Sequence, residues 1–199
     1  MTTIAHEVIK GLVKDVLQHP YAHDREWTIQ GLGMLRTYFG PEVRLHVWDQ
    51  RFAWCHTSRL HTHPWDFKSL IVAGKLRQHR YVEALAAEGF WGKAEPFIKE
   101  TVHCGYEFKD DPQLVHLIEC KEEVYVTGDW YGQRAKEIHD SMPENGTVTI
   151  VHRRFLADTE TASIYRPAGQ VRENAGARRA TPEEVRRMTD YALNTWFKP

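Results

Sequence analysis

Leu60-His61-Thr62-His63-Pro64-Trp65-Asp66, running on through Phe67-Lys68-Ser69-Leu70-Ile71-Val72-Ala73-Gly74, is the stretch whose reading decides the fold. Side chains alternate along an extended chain, so His61 and His63 project from one face. Two neutral imidazoles on one wall of a β-structure supply half of a transition-metal site. The bland alternative is a pair of surface or hydrogen-bonded core histidines. Pro64 and Trp65 mark a bend, after which Lys68 to Lys75 resumes as an apolar run closed by Gly74. The stretch predicts a short ligand-bearing strand, a turn and a returning buried strand, with Asp66 as the nearby carboxylate.

Outward from this segment, 199 residues with 42% apolar and 12% aromatic content predict a folded chain with one substantial core. A net charge of −1 gives no electrostatic footprint for nucleic acid or an anionic membrane. No apolar run is long enough to span a bilayer. Met1 to Glu7 lacks the basic-then-apolar pattern of a secretory signal. Cys55, Cys104 and Cys120 are widely spaced and form no C-x-x-C pair, which fits a reducing cytosol. A cytoplasmic protein is therefore expected. Cys120 reads as a small buried hydrophobe and Cys55 as a residue near a pocket mouth.

In chain order, residues 3 to 18 carry a helical stripe of Ile4, Val8, Leu12, Val13, Val16 and Leu17. Gly33 to Phe39 reads as a strand, and Gly40-Pro41-Glu42 as a turn into Val43 to Asp49. That second strand puts Val43, Leu45 and Val47 on one face and Arg44, His46 and Trp48 on the other. Arg44 and His46 either line a pocket or face solvent; the pattern alone allows both. Arg59 to His63 and Lys68 to Tyr81 form the central pair, and Val82 to Gly92 a loop or short helix. Glu95 to Phe108 is a strand, Asp110-Asp111-Pro112 a turn, Gln113 to Cys120 a strand. Lys121-Glu122-Glu123 is read as a further turn into Val124 to Thr127. Pro143-Glu144-Asn145-Gly146 predicts a hairpin that launches Thr147 to His152. A last strand covers Ala162 to Tyr165, and Gly169 to Ala180 reads as a linker. Thr181-Pro182-Glu183-Glu184 predicts a helix start by capping box, with Val185, Met188, Tyr191, Ala192 and Trp196 as its buried stripe. Many short strands between turn signals, flanked by a helix at each end, predict an antiparallel sandwich or barrel.

These residues resemble the cupin superfamily, small jelly-roll barrels that hold a metal inside. The first motif of that family is a Gly, an H-x-H, an acid and a closing Gly. His61, Thr62, His63 and Gly74 match it; Asp66 stands one residue before the acid position, and Cys55 stands at the leading Gly. The second motif supplies one more histidine after a Gly. His139 follows Gly128 and precedes a turn and strand, and it is favoured; His116 follows Gly105 at the same spacing and is the alternative. The resemblance implies a mainly β fold, an antiparallel jelly-roll barrel with flanking N- and C-terminal helices. It implies a single domain, with residues 1–32 as a helical extension, 33–165 as the barrel and 166–199 as linker and C-terminal helix. It also implies a homodimer, since cupins often pair.

The expected centre is a divalent metal on His61, His63 and His139, with Asp66 as a fourth ligand or a group orienting one. Three imidazoles leave open positions and suit Fe, Zn, Cu or Ni, and a carboxylate would widen the choice to Mn. With Fe(II) the centre is similar to that of the thiol dioxygenases, which implies a dioxygenase acting on a small molecule. Two other readings keep the barrel. A sugar-nucleotide epimerase or isomerase would need a His–Asp pair facing a tyrosine acid such as Tyr131 or Tyr81. A metal-free binding module would use His61 and His63 for hydrogen bonds alone.

Overall fold

The computed structural model describes residues 3–55, 59–84, 94–103, 112–156, 161–171 and 176–198. Its helices are α1 (Thr3–Gln18) and α2 (Pro182–Trp196). The strands of the first half are β1 (Thr28–Gln30), β2 (Met34–Phe39), β3 (Val43–Trp48), β4 (Leu60–His61), β5 (Trp65–Ala73), β6 (Lys75–Glu83) and β7 (Glu95–His103). They are followed by β8 (Gln113–Val126), β9 (Trp130–Gln133), β10 (Ile138–Pro143), β11 (Val148–Phe155), β12 (Thr161–Pro167) and β13 (Arg178–Arg179). The fold is mainly β and antiparallel, with one helix toward each end. No helix is long and apolar enough to cross a membrane.

The strands form a seven-stranded sheet, ordered β13-β1-β2-β3-β11-β5-β9, and a closed barrel, ordered β10-β4-β12-β7-β8-β6. Strand alternation sorts residues onto the two faces of the sheet. Leu35, Leu45, Val47, Leu70, Val72 and Val148 face one way and join Val13 and Leu17 of α1 and Val185, Met188 and Ala192 of α2 in the main core. Met34, Arg36, Arg44, His46 and Trp48 face the other way, into a cavity shared with the barrel strands β4, β10 and β12. The second face of β3 is thus a pocket wall, not a solvated surface. Leu60, Phe97, Leu117, Ile138 and Tyr165 make a separate cluster among the barrel strands.

Both predicted helices are present. Thr181 caps α2 by a full capping box, its hydroxyl accepting from the Glu184 backbone N–H while Glu184 accepts from that of Thr181. On α1 the buried residues are Val13 and Leu17, whereas Ile4, Val8 and Leu12 are exposed, because that stripe lies on the other side of the helix.

The differences from the sequence pattern have physical causes. Lys68 to Tyr81 is not one strand. Gly74, at φ +97°, ends β5 in the sheet and starts β6 in the barrel. Lys121-Glu122-Glu123 is not a turn but the middle of the 14-residue β8. Its charges pair along the strand surface, Glu122 with Arg77 at 3.3 Å and Glu123 with Arg80 at 2.8 Å. Pro143 to Gly146 does turn, with Thr147 N–H donating to Glu144 at 3.1 Å, but it joins β10 of the barrel to β11 of the sheet and closes no hairpin. The expected linker contributes β13, which pairs with β1, so the seven-stranded sheet draws strands from both expected flanks. Cys104, Gly105 and most of the expected loop between Val82 and Gly92 lie outside the described residues.

Candidate metal centre

His61, His63 and His139 meet on the barrel side of the cavity. Alternation positions two of them: Leu60 and Ile138 enter the barrel cluster, so the next residues, His61 and His139, face the cavity. β4 and β10 place His139 directly opposite His61 in the antiparallel register. His63 follows two residues after His61 on the same face. Pro64 restricts it to extended backbone, and the N–H of Lys136 donates to its carbonyl at 2.9 Å. One ring nitrogen from each of the three histidines lies within 4.8 Å of the others. Ring centroids are 4.7 Å apart for His61–His63, 4.5 Å for His61–His139 and 5.0 Å for His63–His139.

The hydrogen bonds set the tautomers. The Nδ1 atoms of His61 and His139 lie 2.9 Å and 3.1 Å from the carbonyls of Arg59 and Glu137. A carbonyl only accepts, so each Nδ1 carries the proton and each neutral ring keeps its lone pair on Nε2. Burial holds His63 and His139 well below the usual imidazole range, helped in each case by the neighbouring His61. The His63 and His139 rings are therefore neutral over a broad pH range, the form that ligates a metal without first losing a proton. His63 also stacks on Trp65, with centroids 5.1 Å apart and planes 18° apart. This group could hold a metal ion; imidazole nitrogens alone suit Fe, Zn, Cu or Ni.

The other expected ligands lie elsewhere. Asp66 sits between the cavity-lining Trp65 and Phe67 and so takes the opposite face of β5. Its carboxylate accepts from the Ala135 N–H at 2.9 Å and pairs with Arg154, and these bonds hold it below the usual carboxylate range. One residue of misalignment along a strand is a full change of face. His116 lies on β8 opposite Pro96 and does not line the cavity.

The cavity measures about 390 Å³, the size of a small-molecule site. Phe67, Val151 and Tyr131 form an apolar floor. The Tyr131 phenol is pushed up to about 12 by burial and stays protonated. Its ring contacts Phe67, which itself contacts His63. Among the described residues no carboxylate lines the cavity, whereas Arg36, Arg44, Arg59 and Arg153 do. Arg59 is matched by Asp140 at 3.1 Å. In the sequence, Arg44 and His46 fit either a pocket or a solvated face, and Arg36 and Arg153 carry no mark of a pocket. The signal available was alternation against apolar partners on β2, β3 and β11. A second group, His79, Glu119 and Glu122, lies on the surface of β6 and β8; His79 Nδ1 lies 2.9 Å from the Glu119 carboxylate, and Glu122 pairs with Arg77.

No protein-family model matches the chain, and no curated protein matches it. The β-rich fold, the closed antiparallel barrel and the three-histidine group are compatible with a cupin-like jelly roll.

Proposed function

We propose that the protein is a cupin-type metal enzyme, an Fe(II) dioxygenase acting on a small molecule, with His61, His63 and His139 as the metal ligands. The observation that carries this reading is the convergence of three imidazoles, two with their Nδ1 atoms anchored, on a cavity of metabolite size. Bound Fe(II) would supply redox chemistry with dioxygen at positions that three protein ligands leave open.

The chain's own residues do the rest. The Arg59 and Glu137 carbonyls fix the ring orientations of His61 and His139. Trp65 stacks on His63 and limits its rotation. Phe67, Val151 and Tyr131 exclude water beside the histidines, which strengthens every polar contact made there. An epimerase would need a carboxylate paired to a histidine in this cavity. Its described lining provides none, which favours the redox reading.

The test is elemental analysis after anaerobic reconstitution with Fe(II), on wild type, His61→Ala, His139→Ala and His116→Ala. Near-stoichiometric iron in wild type and His116→Ala, lost in the other two, is the expected result, followed by dioxygen consumption assays. A wild-type protein that takes up no transition metal, or triad variants that keep it in full, would overturn the reading.

A further inference from the structure

Facing the histidines across the cavity is a second constellation that the metal chemistry does not use. Arg36 on β2, Arg44 and His46 on β3, and Arg153 on β11 line the same cavity from the seven-stranded sheet. Arg36 stands opposite His46, and Arg44 opposite both Tyr38 and Val151. We propose that this end of the cavity is an anion subsite, which takes a dianionic group of the substrate, a phosphate or a pair of carboxylates. The inference rests on the proposed metal site only for where the reacting end of the substrate lies.

Aromatic rings hold the guanidinium groups. Arg44 lies 5.0 Å from the ring of Tyr38 and 5.1 Å from that of Trp65. Arg153 lies 5.1 Å from Trp65 and 4.6 Å from Phe155, and Arg36 lies 5.6 Å from Tyr38. Cation–π contacts of this kind restrain where each guanidinium sits in the wall. Two backbone or side-chain anchors fix the set further: Arg36 Nε donates to Thr28 Oγ1 at 2.9 Å, and Arg153 donates to the Pro41 carbonyl. Each guanidinium carries five N–H donors in a planar fork, the geometry that matches phosphate and carboxylate oxygens.

His46 points to a ligand independently. It is only 7% exposed, it lines the cavity, and its Nε2 is buried with no hydrogen-bond partner. A polar atom left so in a native wall is costly, and an anion oxygen would satisfy it in the tautomer that carries the proton on Nε2. Burial first, then Arg44, Arg36 and Arg153, hold the His46 imidazole well below its ordinary range. A lone carboxylate is matched by one bidentate arginine. Three arginines and His46 converge on this wall, a donor set that suits an anion with more acceptor oxygens than a lone carboxylate offers. Trp65 joins the two ends: it stacks on His63 at 5.1 Å on the metal side and carries Arg44 and Arg153 on the other. A substrate spanning the two would place its anionic end one indole away from the histidines.

Isothermal titration calorimetry on the metal-free protein tests this with inorganic phosphate, malonate and acetate as probes. Wild type should bind phosphate or malonate saturably and about tenfold or more tighter than acetate; which of the two wins identifies the phosphate or the dicarboxylate source. Arg36→Gln and Arg44→Gln, checked as folded by circular dichroism, should weaken that binding about tenfold or more, and Arg44→Lys should restore part of it. His61→Ala should bind the anion like wild type, so loss of the metal reading and loss of the anion reading are separable. No saturable binding by wild type, acetate binding as tightly as both dianions, or folded Arg→Gln variants that bind as wild type would each overturn the proposal. The wild-type titrations decide even if a variant does not fold.

Discussion

Gly74→Ala is the substitution whose cost the geometry defines most closely. Gly74 has φ +97°, where an L side chain is strained, and a Cβ built there would stand 2.6 Å from Thr147 Oγ1 and 2.8 Å from Thr147 Cα. The nearest obstacle includes backbone, so the clash is not relieved by a rotamer change. Thr147 is fully buried, and its hydroxyl both donates to the Lys75 carbonyl at 2.9 Å and accepts from the Lys75 N–H at 3.2 Å. Pushing Thr147 away loosens both bonds at the point where the chain leaves the sheet for the barrel. The left-handed backbone costs ~1–2 kcal/mol. Two weakened hydrogen bonds add about 1 kcal/mol each, and residual overlap more. The total is about 3–5 kcal/mol, a fall in Tm of roughly 10 °C for a chain of this length. Gly128→Ala is the matched control: φ is +94° there too, but nothing lies within 4 Å of the added Cβ, so only the backbone strain applies. Urea denaturation of the two variants against wild type isolates the contact between the two sheets. Equal losses in both would show that Thr147 yields freely and would refute the reasoning.

Two further outcomes are expected. Glu184 is held at about 2, below its ordinary value, first by Arg178, whose nitrogens lie 2.9 Å and 2.5 Å from its carboxylate. A depressed carboxylate stabilises the fold above its unfolded value of 4.5 and loses that contribution as pH falls from about 4.5 toward 2. Because Arg178 is half-exposed, screening reduces the effect to about 1 kcal/mol; Glu184→Gln should lower Tm at pH 7, and the gap should close in acid. A gap that persists unchanged at low pH would contradict this. Asp66→Asn should leave metal content at the wild-type level, measured by elemental analysis, because the carboxylate faces Ala135 and Arg154 on the far side of β5; metal loss in that variant would show that Asp66 reaches the cavity.

Local signals made α2 and the paired His61 and His63 legible in the sequence. A capping box and a two-residue period are properties of a few adjacent residues, and they survive any tertiary context. Partnership between strands is not local. Lys121-Glu122-Glu123 mimics a turn because charged residues on a barrel surface look the same as charged residues in a loop; only the facing Arg77 and Arg80 of β6 distinguish them. Gly74 carries no mark that it separates two sheets until Thr147 is seen against it. The arginine group escaped for the same reason. Arg36, Arg44 and Arg153 are 117 positions apart at the extremes of the set, and each alone reads as a solvated charge. Asp66 stands beside the histidine pair in sequence, but proximity along a strand says nothing about face.

The division of β3 between its two sides has an evolutionary consequence. Leu45 and Val47 serve the helices, while Arg44 and His46 serve the cavity, and the sheet itself separates the two groups. Selection on what the cavity accepts can therefore act through Arg36, Arg44 and His46 without touching the helix-facing core of the sheet. A lineage carrying this scaffold can change what the cavity accepts one alternate residue at a time, and a combinatorial library confined to those three positions would sample new ligands while leaving the helix-facing side of the sheet intact.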